Sequence, residues 1–471
     1  MKANFYYQII SALSFFILPC HIIHSQEFEM PGFIRSIASC DMDQDGNNDI
    51  IVSCPYQDTI VILFNDGYGN FNIQYYNRLA GDILCGDFDG DEIPDILSGR
   101  EGYLYFIKNI GNGLLEGNTI IMDLSGAYTL YDLVDMNNDN WNDIVYDYPD
   151  HWGIFKNNGD LTLTNEIIGS GNENKPEPYI GYLNNDSMPD ILVSYSYDYM
   201  EVTEYQINNN DFNFSTYVLN DMAFTQVVSE LNNEFPNDLI LFRNPTPQVY
   251  MYENTGDANF VFKGIHNTLN TYGVIFTNAN DYNQDGYDDF SYVQCNWVDC
   301  TDSIYIELND KNWSYEPAKQ YYIGPIMSLK VNSIDLNNDN YPDFYISGYG
   351  TDSKIKILWN CGDGTFSYLN PVLISESNHN PDNRLFVSPN PFTQKASIEF
   401  INNSTNSITL IISDLLGNMI YCKYDGQILS KGKYKFTWDG TDYLGNRCSP
   451  GVYIICLNSH GIRYSSKIIL L

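Results

Sequence analysis

Nine residues, Asp41-Met42-Asp43-Gln44-Asp45-Gly46-Asn47-Asn48-Asp49, place carboxylates at positions 1, 3, 5 and 9 of a tight turn, and the chain then enters the apolar run Ile50-Ile51-Val52. Oxygens at that spacing converge on one centre, and hard oxygen donors suit Ca²⁺, which takes six to eight of them in an adaptable shell. Gly46, at position 6, supplies the positive φ that such a turn requires. An EF-hand would need a bidentate Glu at position 12 and helical flanks, whereas position 12 is Val52 and the flank is a β-branched strand. The chemistry is that of a calcium loop between strands.

The same frame returns four times with most of its ligands: Asp87, Asp89, Asp91 and Asp95; Asp135, Asn137, Asp139 and Asp143; Asp281, Asn283, Asp285 and Asp289; Asp335, Asn337, Asp339 and Asp343. Two eroded copies fill the gap, Tyr182-Asn184-Asp186-Asp190 and Glu230-Asn232-Glu234-Asp238. Tyr182 brings no carboxylate to position 1, and the extra methylene of Glu230 and Glu234 moves their oxygens. About five calcium sites are therefore expected, the first two tightest because affinity follows ligand charge. On the same reasoning, losing Asp190 should cost less than losing Asp41 or Asp87.

The elements that must position these loops are short strands. The seven loops start at 41, 87, 135, 182, 230, 281 and 335, a mean period of 49 residues. Between them recur apolar strands ending in Asn and a turn, as in Val61-Ile62-Leu63-Phe64-Asn65 with Gly67, Gly69 and Phe71, or Ile355-Lys356-Ile357-Leu358-Trp359-Asn360 with Gly362, Gly364 and Phe366. Asn and Gly suit such turns because both adopt left-handed backbone. Four short strands per repeat of about 40 to 50 residues is the pattern of an all-β propeller. These paired motifs resemble the FG-GAP/VCBS repeat family. The resemblance implies a seven-bladed, calcium-binding propeller over 26–374, as in integrin α-chains and bacterial surface proteins. Which end of the unit closes the ring, 27–30 or 366–374, stays open.

Net charge is −37, which excludes a basic footprint for nucleic acid or an anionic membrane. At the N-terminus Lys2, the apolar run Ile9 to Ile23 and the small Ser25 read as a signal peptide over 1–25, with an uncleaved anchor as the alternative. No other stretch is long and apolar enough to span a bilayer, so the mature chain is expected to have no transmembrane segment. Without Cys20 nine cysteines remain, which leaves at least one unpaired within the chain. Cys295 and Cys300 are the expected local disulfide. Cys40 and Cys85 precede neighbouring loops and read equally as small buried hydrophobes.

Residues 375–384 are polar and aperiodic, a linker. From Leu385 the acidic loops vanish and a small Ig-like β-sandwich is expected. Pro389-Asn390-Pro391-Phe392, Asp414-Leu415-Leu416-Gly417, Trp438-Asp439-Gly440-Thr441-Asp442, Pro450-Gly451-Val452-Tyr453 and the closing Lys467 with its apolar tail follow in order. Together they resemble the type A C-terminal sorting domain of the type IX secretion system of Bacteroidetes, over 385–471. The resemblance implies the type IX machinery as a partner and a secreted or cell-surface location.

No constellation for catalysis stands out. His151, His266, His379 and His460 are isolated in sequence, and no nucleophile elbow, P-loop or dinucleotide fingerprint occurs. The repeat accounts for the paired carboxylates as metal ligands. Tyr146, Tyr148, Trp152, Tyr195, Tyr197, Tyr199 and Trp297 suggest sugar stacking but fit blade packing better. The expected function is calcium-dependent adhesion or binding to an extracellular polysaccharide or protein. A polysaccharide hydrolase or lyase on the same scaffold is the alternative, and a scaffold without its own ligand a third.

Overall fold

A computed structural model describes residues 26–124, 128–148, 151–170, 177–197, 200–210, 212–219, 225–243, 248–268, 274–296, 301–324, 330–348, 353–368, 385–402, 405–413, 419–442, 445–459 and 462–471. The proposed signal peptide and linker lie outside these residues, as does Cys300. Among the described residues, apart from a 3-10 turn at Pro55–Gln57, the elements are strands. Among the described residues no helix is long and apolar enough to cross a membrane.

Between 26 and 368 the strands form seven antiparallel sheets that repeat one plan. The first sheet pairs Ser36–Cys40, Asp49–Cys54, Thr59–Asn65 and Phe71–Asn77 in sequence order. Its second strand is buried on both faces, while its outermost strand alternates between part-buried and exposed positions. That gradient follows from position: inner strands are packed by neighbouring blades and the outer one meets water. First strands of successive sheets adjoin one another around the axis.

The apolar residues pack between sheets, so the core is divided into seven wedges. Ile51, Ile60 and Ile62 of the first blade meet Ile83, Ile96 and Ile107 of the second. Equivalent clusters join each later pair of blades. The last wedge brings Tyr345, Ile355, Ile357 and Trp359 against Ile50, Val52, Val61 and Leu63, which closes the ring. The seam uses both ends of the unit. Gln26–Glu29 and Phe366–Ser367 both pair with Lys354–Asn360, the first along its body and the second at its C-terminal end.

Cys40 and Cys85 form a disulfide between the innermost strands of blades one and two, not the pair of buried thiols the sequence allowed. Their positions just before two neighbouring acidic loops make them equivalent points on adjacent strands, which is why they meet. Closing a loop over a separation of 45 residues removes unfolded-state entropy corresponding to about 4 kcal/mol. Reduction, or Cys40→Ser, is expected to lower the propeller's melting temperature by several degrees. Melts identical with and without dithiothreitol, with both thiols titratable after reduction, would count against any stabilising role.

Residues 385–471 build two facing sheets. Leu385–Ser388, Ala396–Asn402 and Gly432–Trp438 form one; Met419–Leu429, Asn406–Ser413, Gly451–Ser459 and Ile462–Leu470 form the other. Phe392, Ile398, Phe400, Leu410, Trp438, Tyr453, Ile455 and Ile468 fill the space between them. The motifs at 389–392 and 438–442 and the C-terminal tail meet here, while Asp414-Leu415-Leu416-Gly417 lies outside the described residues. Phe392 exchanges backbone hydrogen bonds with Ile469 and Leu471, and Asn390 donates to Lys467 O and accepts from Ile469 N. The Trp438 indole N–H donates to Thr441 O and its ring packs on Phe392 and Tyr453.

Candidate functional site

Each acidic loop connects the first and second strands of a blade, so all seven lie at one end of the strands. The loops fold by capping themselves. The position-1 carboxylate accepts backbone N–H groups from positions 5 and 6, as Asp41 does from Asp45 and Gly46. Asp87, Asp135, Asp281 and Asp335 repeat this pattern. Position 5 caps position 7: Asp45, Asp91, Asp139, Asp285 and Asp339 accept from Asn47, Ile93, Trp141, Tyr287 and Tyr341. Backbone φ at position 6 is positive in all five loops, at Gly46, Glu92, Asn140, Gly286 and Asn340.

The position-9 Asp does something else. Asp49, Asp95, Asp143, Asp190, Asp238, Asp289 and Asp343 are essentially inaccessible. In every blade one carboxylate oxygen accepts the backbone N–H of the Asn at, or two residues past, the end of the third strand, at 2.7–2.9 Å. In all but the fifth blade the other oxygen accepts the N–H of loop position 2. The Asn amide then donates across to the preceding blade, to the position-2 carbonyl, at 2.7–2.9 Å: Asn109 to Met42, Asn157 to Phe88, Asn208 to Met136, Asn254 to Leu183, Asn309 to Leu231 and Asn360 to Tyr282. Asn65 completes the circuit to Leu336 across the seam. An Asp–Asn belt thus runs around the ring, through intact and eroded loops alike. Sequence reasoning treated these Asn residues as turn formers, and they do cap their turns, Asn65 accepting from Gly67 N. Their recurrence at one strand position, paired with an Asp no erosion removes, was the available signal.

Burial pushes the belt carboxyls up, to about 7 for Asp49, Asp95, Asp143, Asp238 and Asp289 and about 6 for Asp190, against N–H bonds that favour the charged form.

Loops one and two gather three carboxylates each, Asp41, Asp43 and Asp49, and Asp87, Asp89 and Asp95, with oxygens within 4.8 Å of one another. Asp43 Oδ1 and Asp89 Oδ1 are buried without a hydrogen-bond partner, orphaned oxygens of the kind a cation would satisfy. Asp45 and Asp91 stand outside these triads. In loops three, six and seven Asn137, Asn283 and Asn337 replace one acid, and each accepts from the position-5 N–H. Asn184 of the fourth loop donates its amide to Asp186, as Asn137 of the third does to Asp139. These residues fit a hard divalent cation in loops one and two, with Asn carbonyl oxygen as a third-position donor elsewhere.

Lysines stand over three loops. Lys108 bridges Asp89 and Asp91, the latter at 2.7 Å, and holds the Asp91 carboxyl below its ordinary range. Lys156 lies 3.6 Å from Asp139 and Lys311 3.4 Å from Asp285.

A cleft of about 650 Å³ opens at the opposite ends of the strands, over blades one to three. Arg35 forms a two-pronged pair with Asp82, and Arg100 pairs with Asp58 and Glu101. Tyr103 and Tyr128 complete its wall. Of the aromatics singled out in the sequence, Tyr146 and Trp152 are buried between blades and Tyr148 packs on Tyr128 and His151. The side chains of Tyr195, Tyr197, Tyr199 and Trp297 lie outside the description. His266, solitary in sequence, pairs with buried Glu307, which also accepts from Tyr292.

The FG-GAP-like repeat matches residues 87–146 and the FlgD Ig-like domain matches residues 388–460. No curated protein matches the chain. Among solved structures, an Agrocybe aegerita lectin described as recognising non-reducing terminal N-acetylglucosamine aligns at 16% identity and TM-score 0.52, covering 71% of this chain and 94% of its own. The complex of BBS1N with ARL6DN aligns at 12% identity and TM-score 0.46, covering 71% and 96%. Repeat match, fold likeness and sheet order agree on a β-propeller that contains an FG-GAP-like repeat, followed by an Ig-like domain, and at a coarse level this supports a binding or scaffold protein.

Proposed function

We propose that the protein is an exported, calcium-loaded propeller that binds an extracellular polysaccharide or protein, delivered to the cell surface or medium by the type IX machinery through its C-terminal domain. The observation that carries the reading is the division of the ring into two ends. Acidic loops that suit calcium stand at one end, and a cleft of paired charges and tyrosines opens at the other. Guanidinium–carboxylate pairs and aromatic faces are groups that take hydroxyl-rich ligands. The Cys40–Cys85 disulfide supports an oxidising destination, and the ordered Pro-Asn-Pro-Phe to Lys467 motifs support the secretion route. The lectin demonstrates only that this fold can host sugar recognition; residues for it here must be this chain's own.

The test is binding of the purified protein to a panel of glycans and extracellular proteins, in calcium and in EDTA, beside Tyr103→Ala and Glu101→Gln. Saturable, calcium-dependent binding without product, weakened at least tenfold by Tyr103→Ala, is the expected result. Release of reducing ends from a polymer would replace the reading with a hydrolase or lyase. Binding unaffected by both substitutions would move the site off the cleft.

A further inference from the structure

Loops one and two carry identical carboxylates at positions 1, 3, 5 and 9, yet a different side chain stands beside them. The residue before the belt Asn is Phe64 in blade one and Lys108 in blade two. Phe64 packs into the apolar wedge between the blades. Lys108, just past the third strand Tyr103–Ile107, returns over its own loop and ion-pairs with both Asp89 and Asp91. It therefore engages Asp89 of the triad that would hold a divalent cation, and Asp91 beside that triad. Lys156 and Lys311 each ion-pair with position 5 of their loops. Among the described residues no lysine reaches the carboxylates of loop one.

We propose that Lys108 is the resident cation of the second loop, so that this loop binds calcium at least tenfold more weakly than the first despite an identical acid set. The inference rests on the reading that the acidic loops take calcium, and it reverses the sequence-based ranking of loop two among the tightest. The physical reason is competition. A tethered ammonium is present at high effective concentration, and an incoming ion must either expel it or sit beside it against like-charge repulsion. The gain is a loop that stays closed without metal.

The experiment compares full-length protein with Lys108→Met, counting bound calcium by equilibrium dialysis and measuring melting in EDTA. Methionine keeps the apolar stem and removes the charge. Lys108→Met should bind one additional ion over the range in which the unaltered protein has reached its plateau, and adding Asp89→Asn, which removes a carboxylate of the triad, should remove that ion again. In EDTA Lys108→Met should melt several degrees lower, because four carboxylates lose their counter-charge, while in excess calcium the difference should vanish. An unchanged ion count together with an unchanged EDTA melt overturns the proposal. If neither protein binds calcium, the calcium reading itself fails, and the EDTA melt alone then judges whether Lys108 is the loop's cation.

Discussion

Stripping divalent cations lowers the melting temperature of the propeller by at least about 10 °C, while the Ig-like domain, which has its own core, melts unchanged. The expectation follows from what the loops hold in common. Three carboxylates with oxygens inside 4.8 Å in loops one and two repel one another unless a cation lies among them. A site filled a hundredfold above its dissociation constant contributes about 2.7 kcal/mol. Loop one and any one of the Asn-bearing loops three, six and seven filled in this way together contribute about 5 kcal/mol, without loop two, where Lys108 competes, and a domain of a few hundred residues shifts by roughly 2 °C per kcal/mol. Calcium should restore the melt better than magnesium, whose small octahedral shell fits mixed Asp and Asn ligands poorly.

The deficit also depends on pH. In the metal-free protein Asp49, Asp95 and Asp289 are pushed to about 7 from an ordinary 3.8. A folded-state pKa above the unfolded one gives stability that is complete below pH of about 4 and disappears as pH rises to about 7. Calcium favours the ionised form, so the gap between chelated and loaded melts should widen from pH 5 to pH 7.5. Calorimetry of the full chain decides. Coincident transitions in calcium and EDTA at both pH values would remove metal from the account of this fold.

Much of this architecture was legible because the repeat imposes one local rule seven times. Spacing of Asp at positions 1, 3, 5 and 9 located every turn between first and second strands, and the Asn-Gly turns located the ends of the third strands. Three things were not legible. The Cys40–Cys85 bridge depends on inner strands of adjacent blades lying side by side, a relation between repeats that spacing within one repeat does not express. The function of position 9 was hidden for a related reason. Asp49 looks like a fourth ligand of its loop, but its oxygens also reach Asn65 N on the third strand and Met42 N, and Asn65 then reaches the neighbouring blade. Lys108 was overlooked because it lies 19 residues from Asp89, outside any ligand pattern.

The belt makes a prediction opposite to that drawn from ligand counting. Asp190→Ala should destabilise the propeller by about 3–5 kcal/mol, at least as much as Asp41→Ala, although loop four lacks an acid at position 1. Asp190 is buried and accepts Leu183 N at 2.7 Å and Asn208 N at 2.8 Å. Truncation leaves both donors unpaired in the interior, at about 1–3 kcal/mol each, beside a small void. Asn208→Ala should cost a similar amount, since its amide holds Met136 O of the preceding blade and Pro189 O of its own. Asp41 caps an exposed turn, with bonds to Asp45 and Gly46 that water can replace. The two effects separate by metal. The cost of Asp41→Ala should shrink once EDTA has emptied the loops, because most of it is lost calcium. The cost of Asp190→Ala should be the same in calcium and in EDTA, because the Asp–Asn belt holds adjacent blades together through hydrogen bonds alone. A large calcium dependence for Asp190→Ala would mean that the fourth loop still holds an ion and that position 9 serves it as a ligand first.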